Sequence, residues 1–146
     1  MRKIVFSLIT VTIFILGCKT SGSFYQSEPT FVTSEPNGEA IIKFIPKGLY
    51  GEAREKNAKY RVVYEALFNG ISGLDNKRPI VTTVNAEKKF ESYFNGFFAE
   101  NGPFLNFVKI KSNNRLNVSE KKPNPVVLVL KRTELISEMR KANIIQ

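Results

Sequence analysis

The spacing of apolar positions divides the chain from Glu39 onward into short elements. Ala40–Ile45 is an apolar run closed by Pro46 and predicts a strand. A turn-rich stretch, 47–51, follows. Ala58, Val62, Val63, Ala66 and Leu67 then recur at three- and four-residue spacing, with Arg54, Lys56, Arg61 and Glu65 elsewhere on the wheel. This predicts a helix over 53–68, stopped by Asn69-Gly70. Pro79–Val84 reads as a short strand with proline at its permitted first position. A second helix is predicted over 86–100, capped by Asn85 and ended by Asn101-Gly102-Pro103. Its stripe of Phe90, Tyr93, Phe94, Phe97 and Phe98 suits packing against a sheet. Phe104–Lys111 and Arg115–Val118 match as a hairpin about a loop at 112–114, because that register sets Ile110 opposite Leu116 and Val108 opposite Val118. Val126–Leu130 is apolar on both parities, as a central strand covered on both faces would be. Thr133 is then expected to cap a last helix over 134–143, with Arg140 and Lys141 in its final turn.

This succession predicts one α+β (or α/β) domain over 39–146. About five strands in a mixed sheet are packed by about three helices, in the order β-α-β-α-β-β-β-α. Residues 18–38, rich in Ser, Thr, Gly and Pro, read as a linker. As a coil it would span roughly 25 Å, and about 60 Å if straight. Phe24, Tyr25, Phe31 and Val32 are unusual in such a segment and are expected to dock onto the domain.

The first residues have a different character. Arg2 and Lys3 precede an uncharged run from Ile4 to Leu16. As a helix those 13 residues would measure about 20 Å, against ~30 Å for a hydrocarbon core, so the run fits a signal-peptide apolar region and not a spanning helix. It ends Leu16-Gly17-Cys18. A small residue and a cysteine directly after an apolar run resemble the lipobox of bacterial lipoproteins. That resemblance implies cleavage between Gly17 and Cys18, lipid attached to the Cys18 thiol and an acylated new amino group, hence a domain leashed to a membrane. Lys19, where aspartate would favour inner-membrane retention, implies the outer membrane. The lack of acidic residues after it implies a periplasm-facing domain. The strand–helix layout is also loosely similar to small periplasmic accessory lipoproteins, a likeness of layout that carries no residues over.

Composition narrows the chemistry. The 146 residues include one Cys, no His, no Trp and one Asp, Asp75. A disulfide framework, imidazole or paired-thiolate metal sites and nucleophile–histidine triads therefore lack their residues. Neither Gly48-x-x-Gly51 nor Gly70-x-x-Gly73 is a phosphate loop. Only glutamates (Glu52, Glu55, Glu65, Glu87, Glu91) could serve a hydrolase, and their basic helical neighbours read as solvated helix charge. No enzyme activity, metal or cofactor is expected.

The net charge is +9, and the last 44 residues carry nine basic and three acidic side chains. Lys109, Lys111 and Arg115 would share one hairpin face, with Lys121 and Lys122 in the loop beyond. Such a cluster reads first as a solvated basic face that keeps the domain soluble, and otherwise suits anionic envelope polymers or lipid headgroups; nucleic acid is not expected for an exported chain. Gly70-Ile71-Ser72-Gly73-Leu74 reads either as an adaptable contact loop or as a helix cap whose Ile71 and Leu74 turn back into the core. The leading expectation is a membrane-tethered, non-enzymatic interaction or assembly module with another envelope protein as partner. The alternatives are an anionic glycan or headgroup binder using the basic hairpin, and a small glutamate-dependent hydrolase.

Overall fold

The computed structural model describes residues 28–46, 49, 51–113 and 125–146. Four strands form one antiparallel sheet: β1 (Thr30–Ser34), β2 (Ala40–Phe44), β3 (Val108–Asn113) and β4 (Val126–Leu130), in the spatial order β1-β2-β4-β3. Four helices are described, α1 (Gly51–Phe68), α2 (Ala86–Lys89), α3 (Glu91–Phe97) and α4 (Arg132–Lys141). The α+β class stands. The mixed sheet of five strands and the expected element order do not.

Alternation along the strands sorts the sheet into two faces. Ala40, Ile42 and Phe44 on β2, with Val126, Leu128 and Leu130 on β4, are buried in the core. Val108 and Ile110 of β3 pair with Leu130 and Leu128 and extend the same face. β4 lies between β2 and β3, the central place its apolar run calls for. Helix α1 crosses this face and buries Ala58, Val62, Val63, Ala66 and Leu67. Helix α4 adds Leu135 and Met139; Asn143 then turns left-handed (φ 56°), and the Ile144 N–H donates to the Met139 carbonyl (3.0 Å), returning Ile144 to the core.

Five expectations are corrected. First, the linker does not reach residue 38, because β1 pairs with β2 through the turn Pro36-Asn37-Gly38. Gly38 takes a φ of +81°, and the Asn37 side-chain oxygen accepts the Glu39 N–H (3.1 Å). Phe31 does pack against the core, whereas Val32, at a bulge, is 55% exposed. Phe24 and Tyr25 lie outside the described residues.

Second, Pro79–Val84 is not a strand. Its N–H groups serve α1 instead: Ile80 donates to the Ala66 carbonyl (3.0 Å) and Val81 to that of Leu67 (2.8 Å). These are carbonyls of the last helical turn, which have no partner within the helix. Third, the helix expected over 86–100 breaks at Phe90 (φ −116°, ψ 34°), and Asn85 sits left-handed with no side-chain cap bond. The aromatic stripe meets α1 and the 3₁₀ segment Pro103–Phe107, not the sheet. Phe94 packs on Phe68 (4.9 Å between centroids), Phe98 on Tyr60 (4.9 Å) and Phe97 on Phe107 (5.9 Å).

Fourth, residues 103–107 form that 3₁₀ segment, and Ser112 and Asn113 continue β3 against Val127 and Val126 of β4 instead of forming a hairpin loop. The other arm, 115–118, lies outside the described residues. Fifth, Lys131, not Thr133, holds the cap position of α4, with no side-chain cap bond.

Candidate anion-binding cleft

A cleft of about 1060 Å³ opens between α4, the segment 75–83 and the end of α2. One wall is a stripe of α4. Arg132, Ile136 and Arg140 stand four residues apart and so share a helix face. The opposite wall is built by Gly70. Its φ of +76° ends α1, and its N–H donates to the Glu65 carbonyl (2.7 Å). The chain then makes a left-handed turn, Asp75, Asn76 and Lys77 (φ 46°, 53° and 61°), closed by the Lys77 N–H to the Leu74 carbonyl (2.9 Å) and the Arg78 N–H to the Asp75 carbonyl (3.0 Å). Left-handed backbone costs residues with a Cβ about 1–2 kcal/mol each, least for Asn and Asp. Packing maintains it here, since the Gly70 α-carbon lies against the Lys77 carbonyl. Beyond the turn, Arg78 is exposed at the rim, Ile80 is buried, and the Thr82 and Thr83 side chains line the wall. Lys89 and Phe90 close the third side, with the Lys89 ammonium 5.2 Å from the Phe90 ring centroid.

Four cations thus line one concavity: Arg78, Lys89, Arg132 and Arg140. Asp75 is the one carboxylate side chain among its lining residues, and it pairs with Arg132 (2.7 Å). Arg140 donates from Nε to the Gln146 carbonyl (3.4 Å). Arg78 and Lys89 have no carboxylate partner among the described residues. Beneath the charges, Ile80, Phe90, Ile136 and Ile144 supply an apolar floor. Such a site attracts an anion and leaves room for an apolar body below it.

The groups with shifted acidities lie elsewhere. Burial pushes the Tyr64 hydroxyl up to about 12, and its hydrogen bond to Glu87 adds to this. Burial, then the Glu138 carboxylate 3.4 Å away, push Tyr93 up to about 12. Burial also raises Tyr60, and the Lys56 ammonium at 2.6 Å lowers Glu100.

The residues singled out from sequence are dispersed. Gly17, Cys18, Arg115, Lys121 and Lys122 lie outside the described residues. Lys109 and Lys111 are exposed on the sheet face turned away from the helices. A bulge between Ile110 and Ser112 leaves Lys111 without a register partner on β4, and its ammonium pairs with Glu35 beyond the far edge strand. Lys111 is therefore part of an internal ion pair.

The loop Gly70–Leu74 is used inside the fold. Ile71 is buried, Leu74 packs against the core, the Ser72 carbonyl accepts the Phe31 N–H (2.9 Å), and Gly73 lies under the Phe31 ring. Of the glutamates, Glu65 is buried and bonded to Arg61 (2.6 Å) and Asn69 (2.8 Å), while Glu87 faces Tyr64. Arg54 and Glu65, placed by the wheel away from the core, are both buried. Among the described residues no group of three His, Cys, Asp or Glu side chains could hold a metal, and no helix is long and apolar enough to cross a membrane.

The sequence reading did not assemble Arg78, Lys89, Arg132 and Arg140. The 132/136/140 spacing was its one available signal. Compared with models of protein families, with curated proteins and with solved structures, the chain finds no match.

Proposed function

We propose that this chain is a membrane-tethered, non-enzymatic binding module of the bacterial envelope, held through lipid on Cys18, whose cationic cleft receives an anionic group. The observation that carries this reading is the convergence of four cations on one concavity with a single carboxylate side chain, itself paired to Arg132. The reading keeps the sequence-based idea of an anionic partner and moves its site from the basic hairpin to the cleft. The residue inventory supports a binding role: no histidine is present, and the cysteine is assigned to the tether.

Titration calorimetry with pyrophosphate tests it. Binding should weaken steeply between low and physiological salt. The exposed double variant Arg78→Gln/Arg140→Gln should lose most of the affinity, with its circular dichroism unchanged. Pyrophosphate binding that is indifferent to both changes refutes the cleft as the site.

A further inference from the structure

The chain enters the described domain beside the cleft. Glu28, the first described residue, holds the Lys77 ammonium at 2.9 Å. Lys77 belongs to the left-handed turn whose neighbours Asp75, Asn76 and Arg78 line the cleft. From Cys18 to Glu28 the backbone reaches at most about 35 Å, however it is arranged. A chain anchored at Cys18 would therefore enter the described domain beside the cleft, which biases that side toward the anchor without fixing it there.

A second observation lies on the same rim. Thr82 and Thr83 line the cleft, and the next residue, Val84, is 83% exposed, the most exposed large apolar side chain among the described residues. Glu87, Lys88 and Lys89 follow it on α2, all exposed, two cations against one anion. An isolated exposed valine alone requires no explanation. One that follows the cleft-lining threonines and precedes two exposed lysines has the layout of a membrane-surface contact, an apolar tip for the interface and cations at headgroup level, with Glu87 the one acidic side chain beside it.

We infer that the cleft is the face the domain turns to its own bilayer, where Arg78, Lys89 and Arg140 hold the phosphate of an anionic phospholipid headgroup and Val84 enters the interface. This rests on the tethered-module reading and adds the identity of the anion. The headgroup phosphate shares its chemistry with free phosphate, and the apolar floor and the Val84 tip favour the lipid.

The sequence has no tryptophan, so Val84→Trp gives a single indole reporter. The full lipidated protein carrying this change is reconstituted into vesicles of phosphatidylcholine alone, or with phosphatidylglycerol added. The expected result is a blue-shifted emission on the mixed vesicles, quenched about twofold or more by acyl-brominated lipid, and a water-exposed emission on neutral ones. Adding Arg78→Gln/Arg140→Gln should return the reporter to water, whereas Lys43→Gln/Lys109→Gln, which removes the same charge from the opposite sheet face, should not. Insertion on both vesicle types, or its loss in both double variants, overturns the inference. A reporter that stays in water on anionic vesicles while the same protein binds inorganic phosphate in calorimetry assigns the cleft to a free anion, overturning the inference and leaving the proposed function intact. A reporter in water with no binding of phosphate or pyrophosphate overturns both.

Discussion

Replacing Gly70 by alanine tests the junction that forms one wall of the cleft. A Cβ at Gly70 would stand 1.9 Å from the Lys77 carbonyl oxygen and 2.4 Å from its carbon. Relief requires the turn to move by more than an ångström. The turn is pinned by the Arg78 N–H to Asp75, by the Ile80 N–H to the Ala66 carbonyl and by the Lys77–Glu28 pair. The φ of +76° adds a separate penalty. About 1–2 kcal/mol for left-handed backbone and about 1–3 for overpacking give roughly 2–5 kcal/mol, or on the order of 10–20 °C in Tm for a domain of this size. Two companions calibrate the number. Gly38 has a φ of +81° with nothing within 4 Å of its Cβ position, so Gly38→Ala should cost only about 1 kcal/mol. Gly96 is helical with equally open surroundings, so Gly96→Ala should stabilise by about 0.5–1 kcal/mol. Thermal unfolding followed by circular dichroism ranks the three. A Gly70→Ala protein as stable as Gly38→Ala would refute the close approach of Gly70 to Lys77 and with it the described origin of the cleft wall.

Four further outcomes follow from particular contacts. Asp75→Asn keeps a residue suited to the left-handed turn while freeing Arg132, so pyrophosphate affinity measured by calorimetry should rise roughly two- to fivefold at low salt; an unchanged constant would show that Asp75 does not compete for the site. Tyr64 and Tyr93 have hydroxyls raised to about 12 and burial raises Tyr60 as well, so ultraviolet titration should show three of the five tyrosines ionising late. The unfolded chain loses these protons first, near 10, so their stabilisation is complete below pH 10 and declines from there to about 12; alkaline unfolding curves showing no loss across that window would contradict it. Glu65→Ala leaves Arg61 without its 2.6 Å partner in a largely buried position and should cost about 2–3 kcal/mol by urea unfolding, toward the lower end for a broken buried pair because Arg61 keeps some solvent contact. Mass spectrometry of protein purified from its native membranes should find a chain that begins at an acylated Cys18, and an intact Met1 with a free thiol would remove the tether.

Elements that bury a periodic apolar face were legible in the sequence. β2, β4, α1 and α4 stand within two residues of their expected bounds, because Ile42, Leu128, Val62 and Leu135 obey the period of their element. β1 was hidden because four of its five side chains are exposed, which leaves little apolar alternation to read. The signal it did carry was local: Asn37-Gly38 between two β-prone runs is hairpin chemistry. Ile80 and Val81 are buried as their apolarity suggests, yet hydropathy is blind to where backbone N–H groups go, and theirs go to the end of α1. The same blindness hid Arg54 and Glu65, since α1 has polar groups buried beside its apolar face. The cleft was the least legible feature. Arg78 and Arg132 are brought together by the turn after α1 and by the close of β4 into α4, contacts that no local period encodes.

The arrangement of ion pairs separates the cations paired within the fold from those without a carboxylate partner among the described residues. Lys77 is paired to Glu28 and Arg132 to Asp75, and each pair joins segments far apart in sequence: the first ties the entry of the chain to the left-handed turn, the second ties that turn to α4. Both pairs are partly exposed, so each is worth at most about 1 kcal/mol, too little to explain the fold. Their consequence is positional. By holding the turn between the chain's entry and α4, they keep Arg78 and Arg140 on the lining of one cleft, where Arg140 donates to the Gln146 main-chain oxygen and Arg78 has no carboxylate partner among the described residues. Cations that share a concavity repel one another, and the Asp75–Arg132 pair offsets only part of that cost; an anion bound there would recover more of it. Exposed lysines such as Lys43, Lys88 and Lys109 also have no carboxylate partner among the described residues, so what sets Arg78 and Lys89 apart is that they share a hollow with apolar side chains, where a bound anion would meet both kinds of contact.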